Sequence, residues 1–79
     1  MAGDPSRVIV NQVPGTFTPQ VQTNHKDFPE IRGEGGSAKE SAQLLVNHLC
    51  QALDTALTDW RRSSIEGAIE DAKAFVEQN

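Results

Sequence analysis

A single cysteine, no tyrosine, a shortage of basic residues and no long apolar run set the first bounds on this chain. With Cys50 alone, no intrachain disulfide can form, which fits a reducing compartment. No segment approaches the roughly 18 consecutive apolar residues of a spanning helix, and the first residues show no charged-then-apolar signal pattern. The expectation is a small cytoplasmic protein that makes no use of a membrane. Seven Lys and Arg face eleven Asp and Glu, a formal net charge of −4. Nucleic-acid binding draws on cations to neutralise phosphates; Arg61-Arg62 is the only adjacent basic pair, so nucleic acid is disfavoured as a partner. The core must come mostly from Val, Ile, Leu and Ala. At 79 residues such a core lies near the lower limit for an unstapled fold. A second copy can bury what one chain cannot, and a homodimer, or another protein as partner, is expected.

Met1 to Ser6 carry nothing to bury and read as a loose tail, leaving residues 7–79 as one domain. The run Arg7-Val-Ile-Val-Asn-Gln-Val is β-branched and reads as a strand, with Val8 and Val10 on one side and Ile9 opposite. Pro14-Gly15 suits the middle of a type II turn. Thr16 to Thr23 alternates, with Phe17, Pro19 and Val21 on one face and Thr16, Thr18, Gln20 and Gln22 on the other; Pro19 implies an edge or bulge. Asn24 to Asp27 reads as a polar turn. Phe28 to Arg32 reads as a third short strand, with Pro29 and Ile31 on one face and Phe28, Glu30 and Arg32 on the other. Short connections favour an antiparallel meander.

The junction Gly33-Glu34-Gly35-Gly36-Ser37-Ala38-Lys39-Glu40 divides this β-type front from a helical back. Ser37 and Glu40 have capping-box spacing, the hydroxyl taking the Glu40 N–H and the carboxylate reaching back to the Ser37 N–H. Ala42, Leu45, Val46, Leu49, Ala52, Leu53, Ala56, Leu57 and Trp60 then recur at helical spacing on one arc, with Leu44 on the polar side. Ile65, Ala68, Ile69, Ala72, Phe75 and Val76 form a second stripe, whose centre on one straight helix would lie about 110° from the first. The spacing therefore predicts a helix over 38–57, a turn or kink over 58–64, and a second helix to about Glu77. Thr58-Asp59 and the Ser63/Glu66 pair are both candidate starts. One fused helix crossing between subunits is the alternative.

Chemistry-bearing patterns are few. The glycine run before a helix N-terminus invites a phosphate-loop reading. Its spacing matches neither G-x-G-x-x-G nor the lysine-containing P-loop, and Glu34 and Glu40 would repel an anion. It reads as a connector. His48 and Cys50, two residues apart on a helix, point in different directions and cannot share a metal; Cys50 reads as a buried, unreactive thiol at the rim of the arc. His25, Lys26 and Asp27 read as a solvated turn. No cofactor, metal or catalytic set is expected. Trp60, Arg61 and Arg62 are residue types enriched at interface hot spots, and with Leu44 they form the candidate interaction surface. The competing reading has Trp60 closing the end of the core, with the arginines offsetting Asp59 and Glu66.

The stretch Phe28-Pro-Glu-Ile-Arg-Gly-Glu-Gly-Gly-Ser-Ala-Lys-Glu-Ser-Ala-Gln-Leu-Leu resembles the strand-to-helix passage of HicB-type antitoxin domains, which are small and partly RNase-H-like. The resemblance covers about Val8 to Leu49. It implies a small protein toxin as partner and transfers no catalytic residue. Beyond Leu49 a second helix replaces the family's further strand, and no DNA-binding module follows. Together these readings predict an α+β domain: a small antiparallel sheet of two or three strands followed by two C-terminal helices. The function expected is that of a non-enzymatic interaction protein. The alternative is a small ligand-binding or enzymatic domain using residues 33–36 with His25, Asp27 and Arg32.

Overall fold

The computed structural model describes residues 3–13 and 20–78. A 3₁₀ turn at Pro5–Arg7 leads into strand β1 (Val8–Val13), followed by β2 (Gln20–His25), β3 (Phe28–Gly35), helix α1 (Ala38–Asp54) and helix α2 (Asp59–Gln78). The sheet is an antiparallel meander in the order β1-β2-β3. The fold is α+β, as the pattern of elements requires. The Pro14-Gly15 turn and the Thr16 to Pro19 part of the second predicted strand lie outside the described residues.

One face of the sheet is buried. Val8, Val21, Thr23, His25, Phe28 and Gly33 turn inward, and α1 lies across β3 and β2. Val8 and Phe28 join Leu45, Leu49, Ile65, Ala68, Ile69 and Ala72 in one core. The opposite face carries a polar cross-strand pair, Gln22 Nε2 donating to Glu34 Oε1 at 3.1 Å.

Three local readings of the front half are corrected. The polar turn shrinks to Lys26-Asp27, because β2 continues through His25. The third strand is longer than Phe28–Arg32 and its inward residues differ. Asn24 pairs with Arg32 but His25 pairs with Phe28, so Pro29, Glu30 and Ile31 form a bulge without partners in β2. A proline lacking an N–H belongs at such a position. The bulge resets the alternation and sends Phe28 to the core with Ile31 packed against it. The glycine run, in turn, is no connector over its first half. Gly33 and Gly35 are strand residues, and an added Cβ at Gly33 would stand 2.0 Å from the Ser41 carbonyl oxygen and 2.5 Å from the Leu45 nitrogen. Glycine is there because helix and strand backbones nearly touch.

The capping box forms with one change of partner. Ser37 Oγ accepts from the Glu40 N–H at 3.2 Å, while Glu40 Oε2 accepts from Gly36, not Ser37, at 3.1 Å. α1 then stops at Asp54, three residues before its predicted end. Thr55 and Ala56 bond back to Ala52 and Leu53 at 3.2 Å, and the Thr55 hydroxyl also donates to Ala52. These tighter i→i−3 bonds close the last turn. α2 begins at Asp59, well before Ser64. Thr58 is its N-cap, accepting the Arg61 N–H on Oγ1 and the Arg62 N–H on its carbonyl. Ser63 and Glu66 therefore lie inside the helix and cap nothing. Two helices, not one, follow the sheet, and the four-residue connection folds them back on each other. Gln43, Val46 and Asn47 consequently sit beside Lys73, Val76 and Glu77.

Candidate functional site

The tip of the helical hairpin carries the most exposed large apolar side chains among the described residues. Leu57 is 97% and Trp60 77% exposed. Periodicity placed both on the buried arc, but that arc presumes a helix continuing through Leu57. Once α1 ends at Asp54 the chain leaves its register, and neither side chain reaches the core. Trp60 does not close the end of the core. Instead Leu57 and Trp60 border a shallow depression floored by Ala52 and Ala56 and flanked by Thr58 and Arg61.

Arg61 is the tip's link to the sheet. Its guanidinium lies 4.9 Å above the centroid of the Phe28 ring, and Nη2 approaches Glu30 Oε1 at 3.6 Å. A half-buried Arg stacked on an aromatic face and paired with a carboxylate is held in place. Arg62 is exposed on the next position of the helix. Leu44 is 42% exposed, but it sits on α1 ten residues before the helix end, about 15 Å away at 1.5 Å per residue. Thus Trp60, Arg61 and Arg62 lie together, Leu57 joins them, and Leu44 stands apart.

A second cluster is buried beside Phe28 at the last residue of β2, where the His25 ring lies 6.0 Å from the Phe28 ring. His25, read as part of a solvated turn, is 1% exposed. Its Nδ1 lies 3.1 Å from the Asp27 N–H, which can only donate, so Nδ1 is the acceptor and the ring proton sits on Nε2. Nε2–H then donates to Asp71 Oδ2 at 2.7 Å. The other carboxylate oxygen of Asp71 accepts the Asp4 N–H, also at 2.7 Å. One side chain of α2 thereby ties down the end of β2 and the residues before β1. The loose tail read for residues 1–6 is, from Gly3 to Ser6, a structured segment. A Cβ at Gly3 would meet the backbone of Glu70 and Asp71 at 2.2 to 2.4 Å, and Asp4 caps the 3₁₀ turn by accepting from Ser6 N and Oγ. The Ser6 hydroxyl, then the Ser6 N–H, hold the Asp4 carboxyl below its ordinary value of 3.8.

The His25–Asp71 pair was missed because its members are far apart in the chain and neither belongs to a recognisable motif. One signal was available: Asp71 falls between Ala68 and Ala72 on the flank of the second stripe, where a carboxylate needs a partner to be buried.

The residues of the glycine-centred alternative do not form one exposed set, although the Asp27 N–H touches His25 Nδ1. His25 is buried against Asp71, while Asp27 and Arg32 are exposed. The Arg32 carbonyl accepts the Nδ1–H of His48 at 2.6 Å. Cys50 is exposed, not buried. It faces a groove between the helices beside Gly67, a position with no side chain to cover it. Among the described residues no group of three or more His, Cys, Asp or Glu could hold a metal ion, and no helix is long and apolar enough to cross a membrane. Comparison with family models, curated proteins and solved structures finds no match.

Proposed function

We propose that this chain is a non-enzymatic interaction protein that works as a homodimer and recognises a protein partner through the tip of its helical hairpin. The observation that carries the reading is the exposure of Leu57 and Trp60 side by side. A Trp left in solvent gives up about 2 kcal/mol of burial, and Trp beside Arg is the composition of interface hot spots. Contiguous exposed apolar surface rimmed by polar residues marks contact sites; here Thr58 and Arg61 supply the rim. The tip is also anchored to the rest of the fold. Thr58 caps α2, and Arg61 is held by Phe28 and Glu30, so little order is lost when a partner binds. Capture of a small protein is also what the resemblance to HicB-type antitoxins implies.

Both ring nitrogens of His25 are engaged in bonds that fasten elements together, which leaves no lone pair for a general base. That arrangement supports a structural role for the buried polar cluster, in keeping with a function carried by the surface.

The test is quantitative capture from lysate of the source cells by immobilised wild-type chain and by the Leu57→Ser/Trp60→Ala variant, with equal folding established by circular dichroism. A protein retained by the wild type and lost by the variant supports the tip; equal retention by both, or none by either, contradicts it.

A further inference from the structure

We propose that the free edge of β1 is the dimer seam: two copies pair their Val8–Val13 strands antiparallel about a two-fold axis, joining two sheets into one of six strands. This rests on the homodimer reading above and names the surface that carries it.

The sheet's two edges differ in kind. An edge strand presents unpaired N–H and C=O groups, and proteins that stay monomeric blunt such edges with charge, proline, bulges or a covering element. β3 shows all of these. It contains Pro29, a bulge over residues 29–31, and the charges Glu30, Arg32 and Glu34. His48 of α1 occupies the Arg32 carbonyl at 2.6 Å, and Arg61 of α2 holds Glu30 at 3.6 Å. Among the described residues β1 shows one, at its first residue only: the 3₁₀ turn folds over the head of the strand and the Pro5 carbonyl accepts the Val8 N–H, which leaves the edge from Ile9 onward open. The strand's sequence, Val-Ile-Val-Asn-Gln-Val, has no charge and no proline, and its pairing with β2 runs without a shift for all six residues. α1 covers β3 and β2, and α2 reaches β1 only weakly. Ile9 and Val10 are accordingly 43% and 41% exposed, one on each face.

Charge points to a second copy as the occupant. The chain carries −4, so copies are least repelled where they meet on an uncharged surface, and β1 is six residues long without a charge. Antiparallel self-pairing is isologous, so a single neutral strand satisfies both sides. A two-fold axis perpendicular to the sheet keeps both helical layers on one side and requires residues of like parity to face each other. Centred on Val10, it sets Val10 against Val10, Ile9 against Asn11, and Val8 against Gln12. The exposed Val10 side chains then cover one another on the helical side, as cross-strand β-branched pairs do. The tip meets the sheet through Arg61 on Phe28 and Glu30 of β3, the edge opposite this seam, so the proposal leaves both Trp60 rings free for a partner.

The test is light scattering on the full chain from low micromolar to near-millimolar concentration, for wild type, Val10→Lys and Leu57→Ser/Trp60→Ala. The expected result is a wild-type mass rising towards twice 8.6 kDa, dimerisation weakened about tenfold or more in Val10→Lys, where two cations would face each other, and no change in the tip variant. A wild type that stays monomeric throughout overturns the seam and the homodimer reading together. A dimer that survives Val10→Lys, or that is lost only in the tip variant, overturns the seam and leaves the homodimer reading standing. Where Val10→Lys fails to fold by circular dichroism, Val10→Cys in a Cys50→Ser background decides. Covalent dimer under mild oxidation, absent from Arg32→Cys in the same background, supports the seam; equal cross-linking of the two, or none, overturns it.

Discussion

His25 and Asp71, 46 residues apart in the chain, share a 2.7 Å hydrogen bond that fastens helix α2 to the end of strand β2. Because Asp27 claims the other ring nitrogen, the direction of that bond is set: the imidazole donates and the carboxylate accepts. Asp71 also receives the Asp4 N–H, so one carboxylate joins three parts of the chain.

Asp71→Ala leaves the Nε2–H of His25 and the amide of Asp4 without acceptors. An unsatisfied buried donor costs about 1–3 kcal/mol, so urea unfolding should show a loss of about 3 kcal/mol. Asp71→Asn keeps one carbonyl oxygen and should lose less. A variant as stable as the wild type would mean the pair contributes nothing to the fold.

Gly33→Ala and Gly67→Ala should act with opposite sign. At Gly33 the new methyl would meet backbone of α1 at 2.0 and 2.5 Å, which forces helix and strand apart and costs about 3 kcal/mol or more by the scale of overpacked cores. At Gly67, mid-helix in α2, a Cβ meets nothing within 4 Å. There Ala should raise stability by about 0.5–1 kcal/mol through helix propensity and a less disordered unfolded chain. Thermal melting of the two variants checks both signs.

Thr23 is fully buried on the inner face, and its Oγ1 finds no hydrogen-bond partner among the described residues. Thr23→Val replaces the hydroxyl with a methyl of similar size. The unmet desolvation cost is removed, so the variant should gain about 1 kcal/mol in chemical denaturation.

Asp4 supplies a pH-dependent contact at the start of the chain. Its pKa is lowered in the folded state, by the Ser6 hydroxyl first and the Ser6 N–H next. A depressed carboxyl stabilises the fold above its unfolded value, and that contribution disappears as pH falls through the lower, folded pKa. An NMR titration should show the Asp4 carboxyl protonating below the usual aspartate range, with the Ser6 amide signal moving in parallel. Ser6→Ala should shift the titration back up.

The legible part of this molecule is what local pattern controls. Alternation and β-branching marked β1, the Ser37/Glu40 spacing marked the start of α1, and two stripes out of phase implied two helices. The reading failed where a contact distant in sequence, or a small departure from periodicity, decided the outcome. Gly33 and Gly35 looked like a hinge because glycine signals freedom, yet close approach of α1 is what requires them. His25 looked like part of a turn because Asp71 lies in another element. Leu57 and Trp60 matched a helical stripe by spacing alone, and one early helix end moved both into solvent. The candidate surface was thus half visible: Trp60, Arg61 and Arg62 were singled out, Leu57 was assigned to the core, and Leu44 proved remote from them.

The central claim, that the hairpin tip is open in the free chain, has a built-in probe, since Trp60 is the only tryptophan. Acrylamide quenching of its fluorescence is the most direct measurement. The account predicts red-shifted emission and quenching close to that of free indole, both unchanged from low to high protein concentration. A blue-shifted, quench-resistant Trp60 in dilute protein would contradict it, because the ring would then be closing the core.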